Sequence, residues 1–97
     1  MSDFISSPAA RLDLMEIWEN IARDNLDAAD RVAEEIRAEI KMLAQNPGRG
    51  HYRTDLANEP LKFWRVYTCL IIFRPETHPL EIVRILSAYQ DLKRILE

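Results

Sequence analysis

The residues best suited to chemistry in this chain are basic and aromatic side chains in its second half. Each of three predicted strands carries an arginine, a histidine and a further arginine precede these strands, and a tyrosine follows them. The six residues are His51, Arg53, Arg65, Arg74, Arg84 and Tyr89. Cleavage of RNA through its own 2′-hydroxyl needs a base, an acid and a cation near the phosphorus. His51 or Tyr89 with the arginines could supply these groups, so the set is a candidate nuclease site.

The same arginines also suit a structural role, as sheet-edge and surface residues that pair with acidic groups of the N-terminal half or of another chain. The net charge of the whole chain is −3. Residues 1–47 hold five Lys/Arg against ten Asp/Glu, and residues 48–97 hold eight against six. Nucleic-acid-binding proteins normally show a clear basic excess. The charge balance therefore favours the structural role and argues against direct nucleic-acid binding.

Other catalytic and cofactor-binding patterns are missing from the sequence. His51 and His78 lie far apart, and neither has Cys, His or paired carboxylates at ligand spacing. The sequence has no glycine-rich phosphate loop. Its helical glutamates are typical of a solvated face, and its single cysteine, Cys69, sits in an apolar run where a packed thiol is expected. We expect no metal and no cofactor.

Length and composition predict one domain spanning residues 1–97. The hydrophobic share of 47% and the charged share of 30% are typical of a soluble globular protein. No apolar run approaches the ~20 residues of a membrane span, and the N-terminus lacks a basic region followed by an apolar stretch. A lone cysteine cannot form an internal disulfide, which fits a reducing compartment. We expect a cytoplasmic protein.

The first half reads as a short strand followed by two helices. Asp3 to Ser6 suits an edge strand, and Ser7-Pro8 is typical of a helix start. A first helix is predicted from apolar residues at spacings of three and four: Ala10, Leu14, Ile17, Trp18 and Ile21. Polar residues are expected mostly on its other faces: Asp13, Glu16, Glu19 and Arg23. After a break at residues 24–27, a second helix is predicted from about Asp27 to Gln45, where Asn46-Pro47-Gly48 ends it.

The second half reads as a connector over residues 46–62 followed by three strands. The strands are expected at about Lys62–Tyr67, Cys69–Arg74 and Leu80–Ser87, with a tight turn at Tyr67-Thr68. Residues 90–96 are a short helix or a tail. The order β-α-α-β-β-β predicts an α+β fold, in which an antiparallel helical hairpin packs on a small, mainly antiparallel sheet.

Several apolar residues exceed what so small a core should need. These are Leu12, Met15, Leu26, Tyr52, Phe63 and Tyr67. The aromatic ones would lie on the sheet face that the helices leave open. Such a surface suits a partner segment, for example an amphipathic helix laid in a groove. The alternative is that the C-terminal helix covers this face alone, and the pattern does not decide between the two.

Several segments of the chain resemble ParE toxins of the RelE/ParE superfamily. They are Ser7-Pro8-Ala9-Ala10, Ile21–Asn25, Gly50–Leu56, Pro60–Tyr67, Leu70–Arg74 and Ile82–Leu86. The resemblance implies a toxin of a type II toxin–antitoxin system of the kind associated with plasmid stabilisation. Such a toxin inhibits DNA gyrase by protein contact, is not itself an enzyme, and is neutralised by a ParD-like antitoxin whose C-terminal segment wraps it. We expect the antitoxin to contact Leu12, Met15, Phe63, Arg65, Tyr67 and Arg74.

RelE relatives instead cleave mRNA on the ribosome with basic residues and a C-terminal tyrosine or histidine. This chain reads Ser87-Ala88-Tyr89-Gln90 where ParE sequences more often read His-Gly-Ala-Arg. The tyrosine therefore keeps an mRNA interferase as the alternative function. A third possibility is a relic that has lost toxicity and only binds its antitoxin.

Overall fold

A helical hairpin packs on one face of a five-stranded mixed sheet in this computed structural model, which describes residues 3–57 and 59–96. The elements in chain order are β1 (Phe4–Ser6), α1 (Pro8–Ala22), α2 (Leu26–Gln45), β2 (His51–Tyr52), β3 (Lys62–Val66), β4 (Cys69–Arg74), β5 (Leu80–Ser87) and α3 (Leu92–Ile95). The strand order is β1-β5-β4-β3-β2, with β1 parallel to β5 and the other pairs antiparallel. The predicted α+β architecture is confirmed.

The start of α1 is fixed by Ser7, as the Ser7-Pro8 pair predicts. The Ser7 hydroxyl oxygen accepts a hydrogen bond from the Ala10 N–H at 3.0 Å and donates to the Val83 carbonyl at 2.7 Å. Pro8 occupies the first helical position, where its missing N–H costs nothing. One serine thus caps the helix and ties its first turn to β5.

Two element boundaries differ from the prediction, and one short strand was not predicted. The helix α2 starts at Leu26, because the Asn25 side chain accepts a hydrogen bond from the Ala28 N–H and caps the helix there. The strand β3 ends at Val66, because Tyr67 turns the chain with a φ of 56° in a two-residue hairpin loop. The strand β2 lies inside the predicted connector, and its two residues are too few to show a period-two pattern.

The helix-facing core is built from alternate residues of the central strands and one face of α2. Its best-buried members include Ile36, Leu43, Ile71, Phe73 and Ile82. The predicted buried stripe of α1 is only partly correct. Ala10 is fully buried, whereas Leu14, Ile17, Trp18 and Ile21 are half-buried, so α1 keeps much apolar surface in contact with solvent.

The opposite sheet face is covered by the chain itself. Its cluster contains Phe63, Ile72 and Leu86 from the strands, with Leu92 of α3 and the connector residues Ala57 and Leu61 packed over them. Side chains alternate between the two faces of a strand, so Ile72 lies here while its neighbours face the helices. Phe63 is only 4% exposed, so the expectation that it lies on an open face is wrong. The C-terminal helix and the connector together cover this face. The sequence pattern alone did not decide what covers it.

Gly50 offers a test of this packing. It adopts a φ of +90°, and a Cβ there would lie 3.1 Å from Cζ of Phe73 and 3.2 Å from the Phe63 carbonyl oxygen. We expect Gly50→Ala to lower the free energy of unfolding by about 1–3 kcal/mol, measured by urea denaturation. Gly48 is the matched control, because a Cβ there meets nothing within 4 Å. A Gly50→Ala variant as stable as Gly48→Ala would contradict the prediction.

Candidate functional site

Arg84, one of the six candidate nuclease residues, is held by a carboxylate of α1. Its Nε donates to Oδ2 of Asp13 at 2.7 Å, and its Nη2 donates to Oδ1 at 2.9 Å. The hydrogen bond with Asp13 raises the pKa of Arg84 above its ordinary value. Both hydrogen bonds of the guanidinium go to Asp13. Arg84 therefore pairs with an acidic residue of the N-terminal half, which is the structural role that the sequence offered as the alternative to catalysis.

Asp13 itself is where the sequence interpretation fails most clearly. It was expected on a solvated face of α1, yet it is only 7% exposed. The strand β1 pairs with β5 only as far as Ile82, so the backbone of β5 beyond that point lacks a strand neighbour on this side. Asp13 takes that place and accepts a hydrogen bond from the Ile85 N–H at 3.0 Å. The carboxylate therefore joins α1, Arg84 and the sheet edge.

The other three arginines of the set also have partners within the chain. Arg74 bridges Glu59 at 2.9 Å and Glu81 at 2.8 Å. Arg53 forms a two-pronged contact with Asp55, and this contact lowers the pKa of the Asp55 carboxyl.

Arg65 lies on the exposed side of β3 and donates from Nε to the Tyr67 carbonyl at 2.8 Å. All four arginines of the set, including Arg84, are thus engaged within the chain.

The structure gathers only part of the six-residue set. His51, Arg53 and Arg65 line one groove of about 660 Å³, together with Gln90 and Lys93. Tyr89 lies in the adjoining turn and is 81% exposed.

Arg74 and Arg84 do not line this groove. Arg84 borders a different depression with Glu59, Val83 and Leu96. The residues that would have to act on one phosphate are therefore divided between separate places.

A second groove, of about 550 Å³, runs between α1 and α2. One wall is a single face of α1, formed by Arg11, Leu14, Met15 and Trp18, and the other is a face of α2, formed by Ala33, Arg37 and Ile40. The spacings of three and four residues are the signal that could have revealed these faces from sequence. Arg11 and Arg37 are absent from the sequence-predicted site because arginines on helices are ordinarily solvated.

The expected antitoxin contacts fall into accessible and inaccessible groups. Leu12 and Met15 are each 53% exposed, Tyr67 is similarly exposed at the hairpin tip, and Arg65 is exposed on β3. Met15 also lines the groove between the helices. Phe63 is buried beneath its cluster. Arg74 is half-buried between its two glutamates.

The pKa values of two further side chains are shifted by their surroundings. A hydrogen bond with Glu35 of α2 raises the pKa of the Tyr67 phenol. Burial raises the pKa of the Cys69 thiol.

Throughout residues 3–57 and 59–96, no cluster of three or more His, Cys, Asp or Glu side chains is placed to hold a metal ion. No helix in that same part of the chain is both long and apolar enough to cross a membrane.

Residues 4–92 match the sequence model of a family described as the ParE toxin of type II toxin–antitoxin systems, parDE. Among solved structures, a chain of the chromosomal ParDE system from P. aeruginosa superposes with a TM-score of 0.70. The two are 19% identical, and the match covers 87% of this chain and 92% of the other. At that identity the likeness establishes the fold. No curated protein sequence matches the chain.

Proposed function

The chain belongs to the ParE toxin family of type II toxin–antitoxin systems, and we propose that it inhibits DNA gyrase by protein–protein contact and is neutralised by a ParD-like antitoxin in the cytoplasm. The observation that carries this proposal is the internal engagement of the arginines. A catalytic cation must be available to the charge that develops on a transferring phosphoryl group. Arg84 is instead bound to Asp13, and Arg74 to two glutamates. This arrangement supports a contact function over RNA cleavage.

Gyrase inhibition is tested directly with the purified chain. We expect the toxin to inhibit supercoiling by gyrase, to accumulate gyrase–DNA cleavage complexes, and to lose both effects when its antitoxin is added. The readout is the distribution of plasmid topoisomers on an agarose gel. Unchanged supercoiling at a stoichiometric excess of toxin over gyrase would overturn the proposal.

The mRNA interferase remains a second candidate because His51, Arg53 and Arg65 share one groove beside the turn that carries Tyr89. The gyrase proposal predicts no cleavage of mRNA in a reconstituted translation reaction. Translation-dependent cleavage that disappears in Tyr89→Phe or Arg65→Ala would establish the interferase instead. Tyr89→Phe is informative because the side chain is largely exposed, so the substitution leaves the fold intact.

The antitoxin surface is proposed to include the exposed apolar pair on α1. We expect Leu12→Asp with Met15→Asp to weaken antitoxin binding at least about tenfold, because charges would replace apolar contact surface. Isothermal titration against the antitoxin measures the change. Leu26→Asp is the matched control, since Leu26 is similarly exposed but lies outside the proposed contact. Equal affinity of the double variant and the control would show that α1 takes no part.

A further inference from the structure

A groove lies beside α3, where the cover over the sheet face opposite the helical hairpin ends. Leu70 borders the buried cluster of that face but is only half-buried, and its cross-strand partner Arg65 is exposed. Directly opposite residues of paired strands point to the same face of a sheet, so these two side chains lie next to each other. They line the groove of about 660 Å³ together with His51, Arg53 and Lys93, and we call it the basic groove.

Much of the positive charge of the basic groove is available to a partner. Arg65 donates only from Nε, to the Tyr67 carbonyl at 2.8 Å, so its two terminal nitrogens remain free to bind a carboxylate. Lys93 is exposed and makes no direct ion pair within residues 3–57 and 59–96. Arg53 differs from both, because Asp55 already binds two of its nitrogens. Arg65 and Lys93 are therefore the cations best placed for a ligand.

The floor of the basic groove is aliphatic where a ligand can reach it. Leu56 and Leu70 line it and are half-buried, whereas the aromatic ring of Phe63 is nearly inaccessible. Proteins that hold single-stranded nucleic acid stack bases on accessible aromatic rings along a continuous cationic path. Here Tyr89 lies outside the lining, and the carboxylate of Asp91 interrupts the path. Leucines beside separate cations suit an apolar side chain flanked by carboxylates, which is the chemistry of an acidic protein segment.

The basic groove and the exposed apolar pair of α1 lie on opposite sides of the sheet. Leu12 and Met15 belong to the helical hairpin, which packs on the face of the first core. Arg65 and Leu70 lie on the face of the cluster beneath α3. Substitutions in the basic groove therefore leave the α1 surface unchanged.

We propose that the basic groove is the surface with which this toxin contacts its target, and that it binds an acidic protein segment with an apolar side chain over Leu70 and carboxylates at Arg65 and Lys93. The assignment of this segment to gyrase rests on the proposed function. The preference for an acidic segment does not, because it follows from the lining of the groove.

The ligand class is tested with two synthetic peptides of about 12 residues that share a central leucine and carry either glutamates or lysines around it. We expect the glutamate peptide to bind the full chain at least about tenfold more tightly, measured by isothermal titration. Arg65→Glu with Lys93→Glu should reverse the preference. The control is Lys41→Glu with Arg94→Glu, which changes the net charge equally at two exposed residues outside the groove and should keep the preference.

The position of the bound peptide can be read from backbone amide resonances. That of Leu70 should shift when the glutamate peptide is added, while that of Met15, on the opposite side of the sheet, stays in place. Lys93→Glu alone serves as a second variant, because Lys93 makes no direct ion pair in the described chain whose loss could affect folding. It should weaken binding of the glutamate peptide about threefold.

The link to gyrase is tested in the supercoiling assay. We expect Arg65→Glu with Lys93→Glu to require at least about tenfold more toxin for the same inhibition, and Lys41→Glu with Arg94→Glu to act like the wild type. The glutamate peptide in excess should relieve inhibition by the wild type, because it occupies the same groove. Inhibition by the double variant equal to that by the wild type would overturn the inference and leave the gyrase proposal standing.

Three binding results would also overturn the inference: equal affinity for the two peptides, a preference unchanged in the double variant, or tighter binding of a single-stranded RNA of about 12 nucleotides than of the glutamate peptide. Self-association that is lost in the double variant, without peptide binding, would assign the groove to a second copy and overturn it as well. The same holds if the double variant loses antitoxin binding but still inhibits gyrase. Binding of the glutamate peptide by a chain that leaves gyrase untouched supports the ligand class and refutes the gyrase proposal.

Discussion

Replacement of Asp13 by alanine is expected to lower the free energy of unfolding by about 2–4 kcal/mol, because it removes the buried carboxylate of a partly buried ion pair. The substitution leaves the Arg84 guanidinium without its carboxylate and the Ile85 N–H without its acceptor. The Ile85 N–H is buried beneath α1, so water replaces the carboxylate poorly there. Such a loss is a large part of the ~5–15 kcal/mol that stabilises a typical domain.

Urea denaturation followed by circular dichroism measures this loss. Asp13→Asn should fall between the wild type and Asp13→Ala, because an amide oxygen can still accept from the Ile85 N–H although the charge is gone. Glu19→Ala is the control, since Glu19 is exposed on the same helix and should change stability by less than about 0.5 kcal/mol. An Asp13→Ala variant as stable as Glu19→Ala would show that the ion pair contributes nothing.

A chain that stops at Gln90 is expected to lose about 4 kcal/mol of stability, because truncation removes one buried leucine and two partly buried apolar side chains. Leu92 packs over Phe63, Ile72 and Leu86, and Ile95 and Leu96 border the same cluster. Without them the sheet face opposite the helical hairpin becomes accessible. The truncated chain should therefore also bind more of a hydrophobic dye than the full chain does.

The matched control for the truncation is Lys93→Ala with Arg94→Ala, which alters two exposed residues of α3 and leaves its packing face intact. We expect this variant to stay within about 0.5 kcal/mol of the full chain. If the truncated chain is as stable as this control, the cluster under α3 is held together by the connector alone.

The sequence predicts well those elements in which neighbouring residues favour the same secondary structure. The ranges Cys69–Arg74 and Leu80–Ser87 were predicted with the bounds that the structure has, because β-branched and aromatic residues dominate both. The start of α1 followed from Ser7-Pro8, since a cap is a local interaction. Phe63 could not be placed correctly, because its burial depends on α3, which lies far along the chain.

The candidate site was harder to predict because its charges depend on distant partners. A carboxylate on a helix is ordinarily solvated, so nothing in the sequence marks Asp13 as the group that completes the edge of β5, 71 residues from Arg84. The arginines on strands look like a cationic centre until their acidic partners are known. Arg11 and Arg37 look like ordinary solvated residues in the sequence. Only the fold shows that both border one apolar groove.

The position of β4 has a consequence for how the protein opens. Ile71 and Phe73 belong to the core under the helices, while Ile72 belongs to the core under α3, so this strand, like its neighbours β3 and β5, is part of both. Its backbone amides can exchange with deuterium only when both cores come apart together. The outer strands β1 and β2, with three and two residues, contain no buried residue and can detach at a lower cost. Slow exchange should therefore be concentrated in the three central strands β3, β4 and β5, at a rate set by global unfolding.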